Sequence, residues 1–488
     1  MADSVAVGGA GSLKGSTPIC VDLDGTLVRT DMLAEGVLGA LGNIGLYRAL
    51  LGLRNGNRAQ FKHAIAAAGS FDPSTLPYEP AFLAFLRQQR HLGRRLFLVT
   101  AADVAVANRI AEFLGIFDEV IASDGVRNLK GKKKAEFLQA RFGQHGFCYA
   151  GDSSADLPVW KVASSGILVN ARMDVALRAR GSTNIEAEFK SSGSLWHALL
   201  KAMRPHQWVK NILVFIPLFI SGGDINPRSL SLSFLTFVAF SLTASGIYLL
   251  NDLTDLAADR RHPRKRERAI ASGAVPVVIA VAASIILVTF GTGVAAGAGI
   301  FAIVGTYALL SVGYSARLKE LPLVDVFMLG ALYTIRLVGG GEATGHRVSL
   351  WLLAFSSFLF LSLALLKRVG ELGNAPVDLN AALSRRGYVP SDVALLQMFG
   401  CSTSVAASLV LALFIQNEAT AERYASPALL WGIVPLILFW LCRIWLSTTR
   451  GYMHDDPIVY AAKDWVSWLV AIATAALVVA ARFSGRAW

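Results

Sequence analysis

Cysteine is scarce in this chain, with four among 488 residues. Cys20, Cys148, Cys401 and Cys442 are scattered and match neither metal-ligand nor disulfide spacing, so each reads as an isolated buried thiol. Charged residues are also few, at 16%, and they thin out further after about residue 200. The first 20 residues are rich in Gly, Ser and Ala and have no apolar core. No secretory signal is therefore expected, and the segment reads as a loose tail. The soluble part lacks a basic stripe with interleaved aromatics. The excess of 46 Lys and Arg over 34 Asp and Glu, a net charge of +12, is thus not read as a nucleic-acid footprint.

Apolar sequence is abundant: 54% of the residues are hydrophobic, which marks a membrane protein with room for a soluble domain. Candidate spans lie near 209–225, 230–250, 275–296, 297–314, 322–340, 349–367, 391–416, 427–446 and 463–482, each near the length that crosses a bilayer. Arg260–Arg268, Arg317, Lys319, Lys367, Arg368, Arg385, Arg386, Arg443 and Arg450 fall in alternate loops, against only Arg228, Arg347 and Arg423 in the others, plus the tail residues Arg482 and Arg486. By the positive-inside rule the N-terminus lies inside, nine helices follow and the C-terminus lies outside. The expected place is a bacterial inner (plasma) membrane, with the soluble half facing the cytoplasm. An oligomer is possible.

Between two of these runs stands NDLTDLAADRRHPRKRERAIASG, residues 251–273. Asp252, Asp255 and Asp259, spaced i, i+3 and i+7, fall along one face of a helix end. Such a face holds hard divalent cations through oxygen. Arg260, Arg261, Arg264, Lys265, Arg266 and Arg268 follow at once, which suits a multiply charged phosphate substrate. The basic run also has a plainer reading as a topology anchor.

In the soluble half, ICVDLDGTL (19–27) reads as a short strand ending in Asp22, Asp24 and a glycine turn. A second strand, Arg95–Val99, ends at Thr100, and a third, Gly146–Ala150, ends in GDSSAD with Asp152 and Asp156. Lys134 stands between them at a helix start, crowded by Lys130, Lys132 and Lys133. These four signals in this order resemble the haloacid dehalogenase superfamily over residues 18 to 180. The resemblance implies a Rossmann-like α/β domain with Asp22 as phosphoryl-accepting nucleophile and Asp24 as acid/base. It gives Thr100 the phosphoryl oxygens and Lys134, or Lys130 in another register, the charge on phosphate and nucleophile. It also implies Mg²⁺ held by Asp22, Asp24, Asp152 and Asp156, and a small helical cap over 31–90. The implied domains are a tail (1–17), a phosphatase (18–190) and an all-α polytopic membrane domain (191–488).

Asn251–Asp259 fits NDxxDxxxD and, with RAIASG after it, resembles the UbiA-type intramembrane prenyltransferases over residues 195 to 485. The chain departs from that pattern at Ala269, where proline is usual, and at KRVGEL (367–372). There Lys367 and Arg368 replace most of a second acidic cluster and only Glu371 remains. Two cations suit an extra phosphate better than a second metal does. The strings RPHQWVKN (204–211), HPRKRERAIASG (262–273), YSARLKELPLVDV (314–326), YTIRLVGG (333–340) and KRVGEL resemble one branch, the polyprenyl-phosphate phosphoribosyltransferases.

That branch implies transfer of phosphoribose from phosphoribosyl diphosphate to a polyprenyl phosphate, and the fused phosphatase then removes the ribose 5-phosphate. Asp252, Asp255 and Asp259 with Mg²⁺ would hold the donor diphosphate, positioned by Asn251 and stabilised on leaving by Lys265, Arg266 and Arg268. Lys210 with Asn211, or Lys367 and Arg368, would steer the lipid head group. Tyr314, Lys319, Asp325, Arg336 and Glu371 complete the expected substrate-binding set. An arginine inside a span is costly unless paired or wetted, and for Arg336 a salt bridge to Asp325 is the plainer alternative. Trp208 and Trp465 read as interfacial belt residues. The segment 455–465 either closes the site or is a solvated loop. Two further readings stay open: prenyl transfer to an aromatic acceptor, and a phosphatase merely anchored by its spans.

Overall fold

The computed structural model describes the chain except residues 1–5, 8–16, 41–57, 70, 125–126, 191–192, 221–225, 347, 374–386, 418–423, 454–455 and 485–488. Part of the expected cap, Asp455, Arg347, Arg385, Arg386, Arg423 and Arg486 therefore lie outside the described residues. The chain forms two compact units. One comprises Met1–Ala202 with Asp252–Ala282, and the other Met203–Asn251 with Ala283–Trp488.

The first unit is built on seven strands: β1 (Ala6–Val7), β2 (Ile19–Val21), β3 (Leu96–Asp103), β4 (Glu119–Ser123), β5 (Cys148–Gly151), β6 (Ser165–Val169) and β7 (Asn184–Phe189). Their order is β1-β7-β6-β5-β2-β3-β4. All neighbours are parallel except β1, which runs antiparallel to β7. Residues of β2, β5 and β6 are buried throughout, as expected of a parallel sheet covered on both faces. Apolar clusters lie on the two sides, one around Leu23, Phe82 and Leu98, the other around Phe97, Phe147 and Trp160. After β2 the chain moves outward to β3 and β4, then returns to the other flank of β2 as β5. Ligand sites of open α/β sheets lie at such a reversal. Val21 pairs with both Leu98 and Ala150, which brings the three motif-bearing strand ends level. The β3 strand runs on past Thr100 to Asp103, with a register shift after Val99.

In the second unit, helices dominate. Among the described residues, seven helices of the chain are long and apolar enough to cross a membrane: Pro227–Thr254, Val277–Gly297, Val324–Thr344, Leu350–Gly373, Asp392–Gln416, Pro427–Thr449 and Trp465–Phe483. The count of nine is approximate because two expected spans are realised differently. Residues Pro205–Phe215 wind as a 3₁₀ helix before the short α-helix Ile216–Ile220, and Phe301–Ala316 has only 16 residues. Apolar length alone does not specify the hydrogen-bond pattern, and Lys210 and Asn211 place buried polar groups in the first of these segments. Close packing fixes that segment. A Cβ added to Gly340 would stand 1.9 Å from the Val214 carbonyl oxygen, so only a bare backbone fits there. Cys20 and Cys148 are buried as expected, but Cys401 and Cys442 are exposed. The latter two lie on spanning helices, where lipid takes the place of a protein core.

Candidate active sites

At the reversal of the sheet, the turn after β2 delivers Asp22 and the turn after β5 delivers Asp152 and Asp156. Oxygen atoms of these three carboxylates lie within 4.8 Å of one another. Lys134, buried on the helix Lys132–Phe142, donates to Asp22 Oδ1 at 3.0 Å and to the Tyr149 hydroxyl at 2.8 Å. Tyr149 in turn donates to Asp156 Oδ1 at 2.7 Å. The other Asp156 oxygen accepts from Ser153 N–H at 3.1 Å and from its hydroxyl at 3.0 Å. Thr26 donates to Asp152 Oδ1 at 3.3 Å. The register choice among the lysines thus falls on Lys134 for contact with Asp22. Thr26 lies inside ICVDLDGTL and Tyr149 inside the strand 146–150, but neither has a role in the expected site.

The electrostatics are those of crowded acids. Burial, with Asp156 adding to it, pushes the Asp22 carboxyl up to about 6 against the pull of Lys134. Burial and the neighbouring Asp31 lift Asp24 to about 7, and burial with Asp156 and Asp22 lifts Asp152 to about 8. Burial alone would lower Lys134, but Asp22 and Asp156 hold it above its ordinary value. An oxygen-only donor set with this much unneutralised charge fits a hard divalent cation. Gly25 keeps the cradle open, since a Cβ there would meet Asp152 Oδ2 at 2.4 Å. Asp24 stands apart from the three, its Oδ1 accepting from Met32 N–H at 2.8 Å. Thr100 is fully buried and its hydroxyl accepts from Ala102 N–H at 2.9 Å. Asp22, Asp24, Lys134, Asp152 and Asp156 line a cavity of about 420 Å³ that Lys62 and Lys130 also face.

The same unit contains the 251–273 block from Asp252 onward. Asp252 ends the long helix Pro227–Thr254, the chain breaks at Asp255, and Asp259 rides the short helix Leu256–Arg261. Arg268 Nη1 donates to Asp252 Oδ1 at 3.1 Å and to Asp259 Oδ2 at 2.6 Å. Two of the three spaced acids and one arginine therefore meet. Asp255 is half-buried, and Lys265 and Arg266 are exposed on the following turn.

In the second unit, the Asp456 carboxylate is the hub. Its Oδ2 accepts from Lys210 at 2.7 Å and from Lys367 at 3.1 Å, while its Oδ1 accepts from the Tyr333 hydroxyl at 3.0 Å. Burial alone would raise this carboxyl, but Lys210 and Lys367 hold it well below the usual carboxylate range. The solvated-loop reading of 455–465 is thereby corrected at Asp456, which also caps the helix Pro457–Lys463. Arg336 donates to Asn211 Oδ1 at 2.7 Å and to the Tyr307 hydroxyl at 3.1 Å. The alternative pairing of Arg336 with Asp325 is not formed, because Arg368 takes Asp325 at 2.5 Å. Arg368 also pairs with Glu371, which leaves its guanidinium almost wholly enclosed, with Lys367 the more open of the two. Tyr314 and Lys319 are half-buried near the end of Phe301–Ala316. Trp208 donates to Ser245 at 3.0 Å and so serves packing between segments, whereas Trp465 is exposed.

Both halves carry the signature of a known class. A family model described as the UbiA prenyltransferase family matches residues 212–456, and one for haloacid dehalogenase-like hydrolases matches residues 19–161. The chain belongs to the UbiA prenyltransferase family. It is 38% identical to an uncharacterized protein of Sinorhizobium fredii over 95% of this chain and 91% of that one. It is 32% identical to the decaprenyl-phosphate phosphoribosyltransferase of Mycobacterium tuberculosis over 58% of this chain and 93% of that one. A UbiA homolog from Archaeoglobus fulgidus, solved with GPP and Mg²⁺, aligns with a TM-score of 0.46 at 17% identity, covering 58% of this chain and 99% of that one. The protein is a multi-pass membrane enzyme that joins a prenyltransferase-family domain to a phosphatase-type hydrolase domain.

Proposed function

We propose that this protein transfers phosphoribose from phosphoribosyl diphosphate to a polyprenyl phosphate and then removes the ribose 5-phosphate, yielding a lipid-linked ribose for the cell envelope. The observation that carries this reading is the cation-rich cluster of Lys210 and Lys367 on Asp456. An acceptor lipid phosphate and a sugar phosphate both call for such cations, whereas an aromatic acceptor calls for a stacking pocket and a base. The likeness to the mycobacterial phosphoribosyltransferase supports it. We read residues 18–190 as the phosphatase and 191–488 as the transferase, at a bacterial inner membrane with both sites cytoplasmic.

In the transfer step, Asp252, Asp255 and Asp259 would hold Mg²⁺ at the donor diphosphate, and Asn251 positions that diphosphate. The ion, when bound, would supply charge neutralisation on the leaving diphosphate. Arg268 and Lys265 stabilise charge that develops on the leaving diphosphate as the bond to C1 lengthens. Lys210 and Lys367 orient the phosphates, and the ionised lipid phosphate oxygen attacks C1 without a protein base. Arg368 holds Asp325 and Glu371 in place. In the second step Asp22 attacks the 5-phosphate and Asp24 protonates the departing ribose oxygen. Lys134 offsets charge on Asp22 and the phosphate, and Asp22, Asp152 and Asp156 would hold Mg²⁺.

The donor assignment is tested by supplying one donor at a time to the purified protein and following diphosphate release. Phosphoribosyl diphosphate with polyprenyl phosphate is expected to release diphosphate. Release from polyprenyl diphosphate with an aromatic acceptor instead would overturn the reading.

A further inference from the structure

A buried ion pair anchors the loop that carries Asp259 and Arg268. Arg260 Nη1 donates to Glu35 Oε2 at 2.9 Å and Nη2 to Glu35 Oε1 at 2.7 Å, while its Nε donates to the Ala271 carbonyl at 3.1 Å. The two side chains are 5% and 6% exposed. Thr30 adds a hydroxyl donor to Glu35 at 2.6 Å. Glu35 belongs to the helix Met32–Gly39, whose first N–H holds the Asp24 carboxylate. A second fastening lies at Gly273, with φ of +75°, where a Cβ would stand 2.6 Å from the Arg29 Cβ. Arg29 is itself gripped by Glu79 at 2.7 and 2.8 Å.

Two desolvated charges in bidentate register contribute little net stability but fix position closely. Arg260 follows Asp259 directly, and Ala271 comes three residues after Arg268. One guanidinium therefore closes the base of the loop and sets the separation of Asp259 from Arg268. Asp259 and Arg268 are the groups that, in the reading above, grip the donor diphosphate.

We infer that Glu35 and Arg260 are positioning residues for the transferase, so that the phosphatase-type half holds the diphosphate loop in its binding geometry. Donor binding then depends on the fold of the soluble half through Glu35. This inference rests on the transferase reading and goes beyond it, because it assigns the soluble half a role in the first step.

The test uses the full-length protein in micelles with two readouts: calorimetric binding of magnesium inorganic diphosphate, and the KM and kcat for phosphoribosyl diphosphate. Glu35→Gln is expected to weaken diphosphate binding and raise the donor KM by about tenfold or more, with kcat little changed. The exchanged pair Glu35→Arg with Arg260→Glu is expected to restore most of the loss. Should Glu35→Gln fail to fold, Glu35→Asp keeps the charge but is one methylene too short, and it carries the same comparison. Diphosphate binding as tight as in the parent, or a loss confined to kcat, would overturn the inference. A parent that binds magnesium diphosphate but releases none from phosphoribosyl diphosphate contradicts the donor assignment instead, and the binding comparison still decides this one.

Discussion

Asp456 and Lys367 stand 3.1 Å apart, and the same carboxylate oxygen accepts from Lys210 at 2.7 Å. One acid thus organises two cations that come from distant parts of the membrane-family half.

Replacing that acid leaves the buried Lys210 and the half-buried Lys367 without their counter-charge. Asp456→Asn is expected to lower stability by about 3 kcal/mol, read as a drop in melting temperature at fixed detergent and lipid, together with a large loss of transferase turnover. An unshifted melting temperature would show that the cluster has little structural weight.

Lys367 and Arg368 are neighbours with different tasks. Side-chain exposure is 27% for Lys367 against 2% for Arg368, and Arg368 is committed to Asp325 and Glu371. Lys367→Ala is expected to raise substrate KM while the protein still folds. Arg368→Ala, which strands a buried Asp325, is expected to reduce folded yield and melting temperature. Size-exclusion profiles and steady-state kinetics separate the two outcomes.

The crowded acids of the soluble half predict a pH signature. Asp22, Asp24 and Asp152 keep their protons to about 6, 7 and 8, whereas an aspartate in an unfolded chain titrates near about 3.9. The native state binds more protons than the unfolded state across that window, so metal-free stability falls as pH rises from about 4 to about 8. Millimolar magnesium is expected to raise the melting temperature more at pH 8 than at pH 5. Asp152→Asn is expected to remove most of that difference.

Backbone contact in the membrane-family half is tested at Gly340. Its added Cβ would lie 1.9 Å from the Val214 oxygen, and overpacking of this kind costs about 1–3 kcal/mol. Gly340→Ala is expected to lower the melting temperature measurably, whereas Gly293→Ala, with open space around it, is not.

Much of the fold was legible because its signals are local. The strand-plus-aspartate strings at Asp22 and Asp152 announced a parallel sheet with acids at its carboxyl edge, and the sheet has that form. The long apolar runs announced most of the spanning helices. The 3₁₀ course of Pro205–Phe215 was hidden, since apolar length and composition do not distinguish hydrogen-bond patterns. Pairings between residues far apart in sequence were hidden as well. Glu35 sits on a short helix 225 residues before Arg260, and Asp456 lies 246 residues after Lys210. No spacing rule joins such partners. Asp325 illustrates the same limit, because Arg336 is far closer to it in the chain, yet the distant Arg368 takes it.

The central claim is tested most directly by mass spectrometry of the lipids formed from phosphoribosyl diphosphate and a short polyprenyl phosphate. The unmodified protein is predicted to yield polyprenyl-phosphoryl ribose, and Asp22→Asn to stop at the 5-phosphorylated form. Absence of any ribose-bearing lipid from the unmodified protein would contradict the transfer. Dephosphorylated product from Asp22→Asn would contradict the part given to the soluble half.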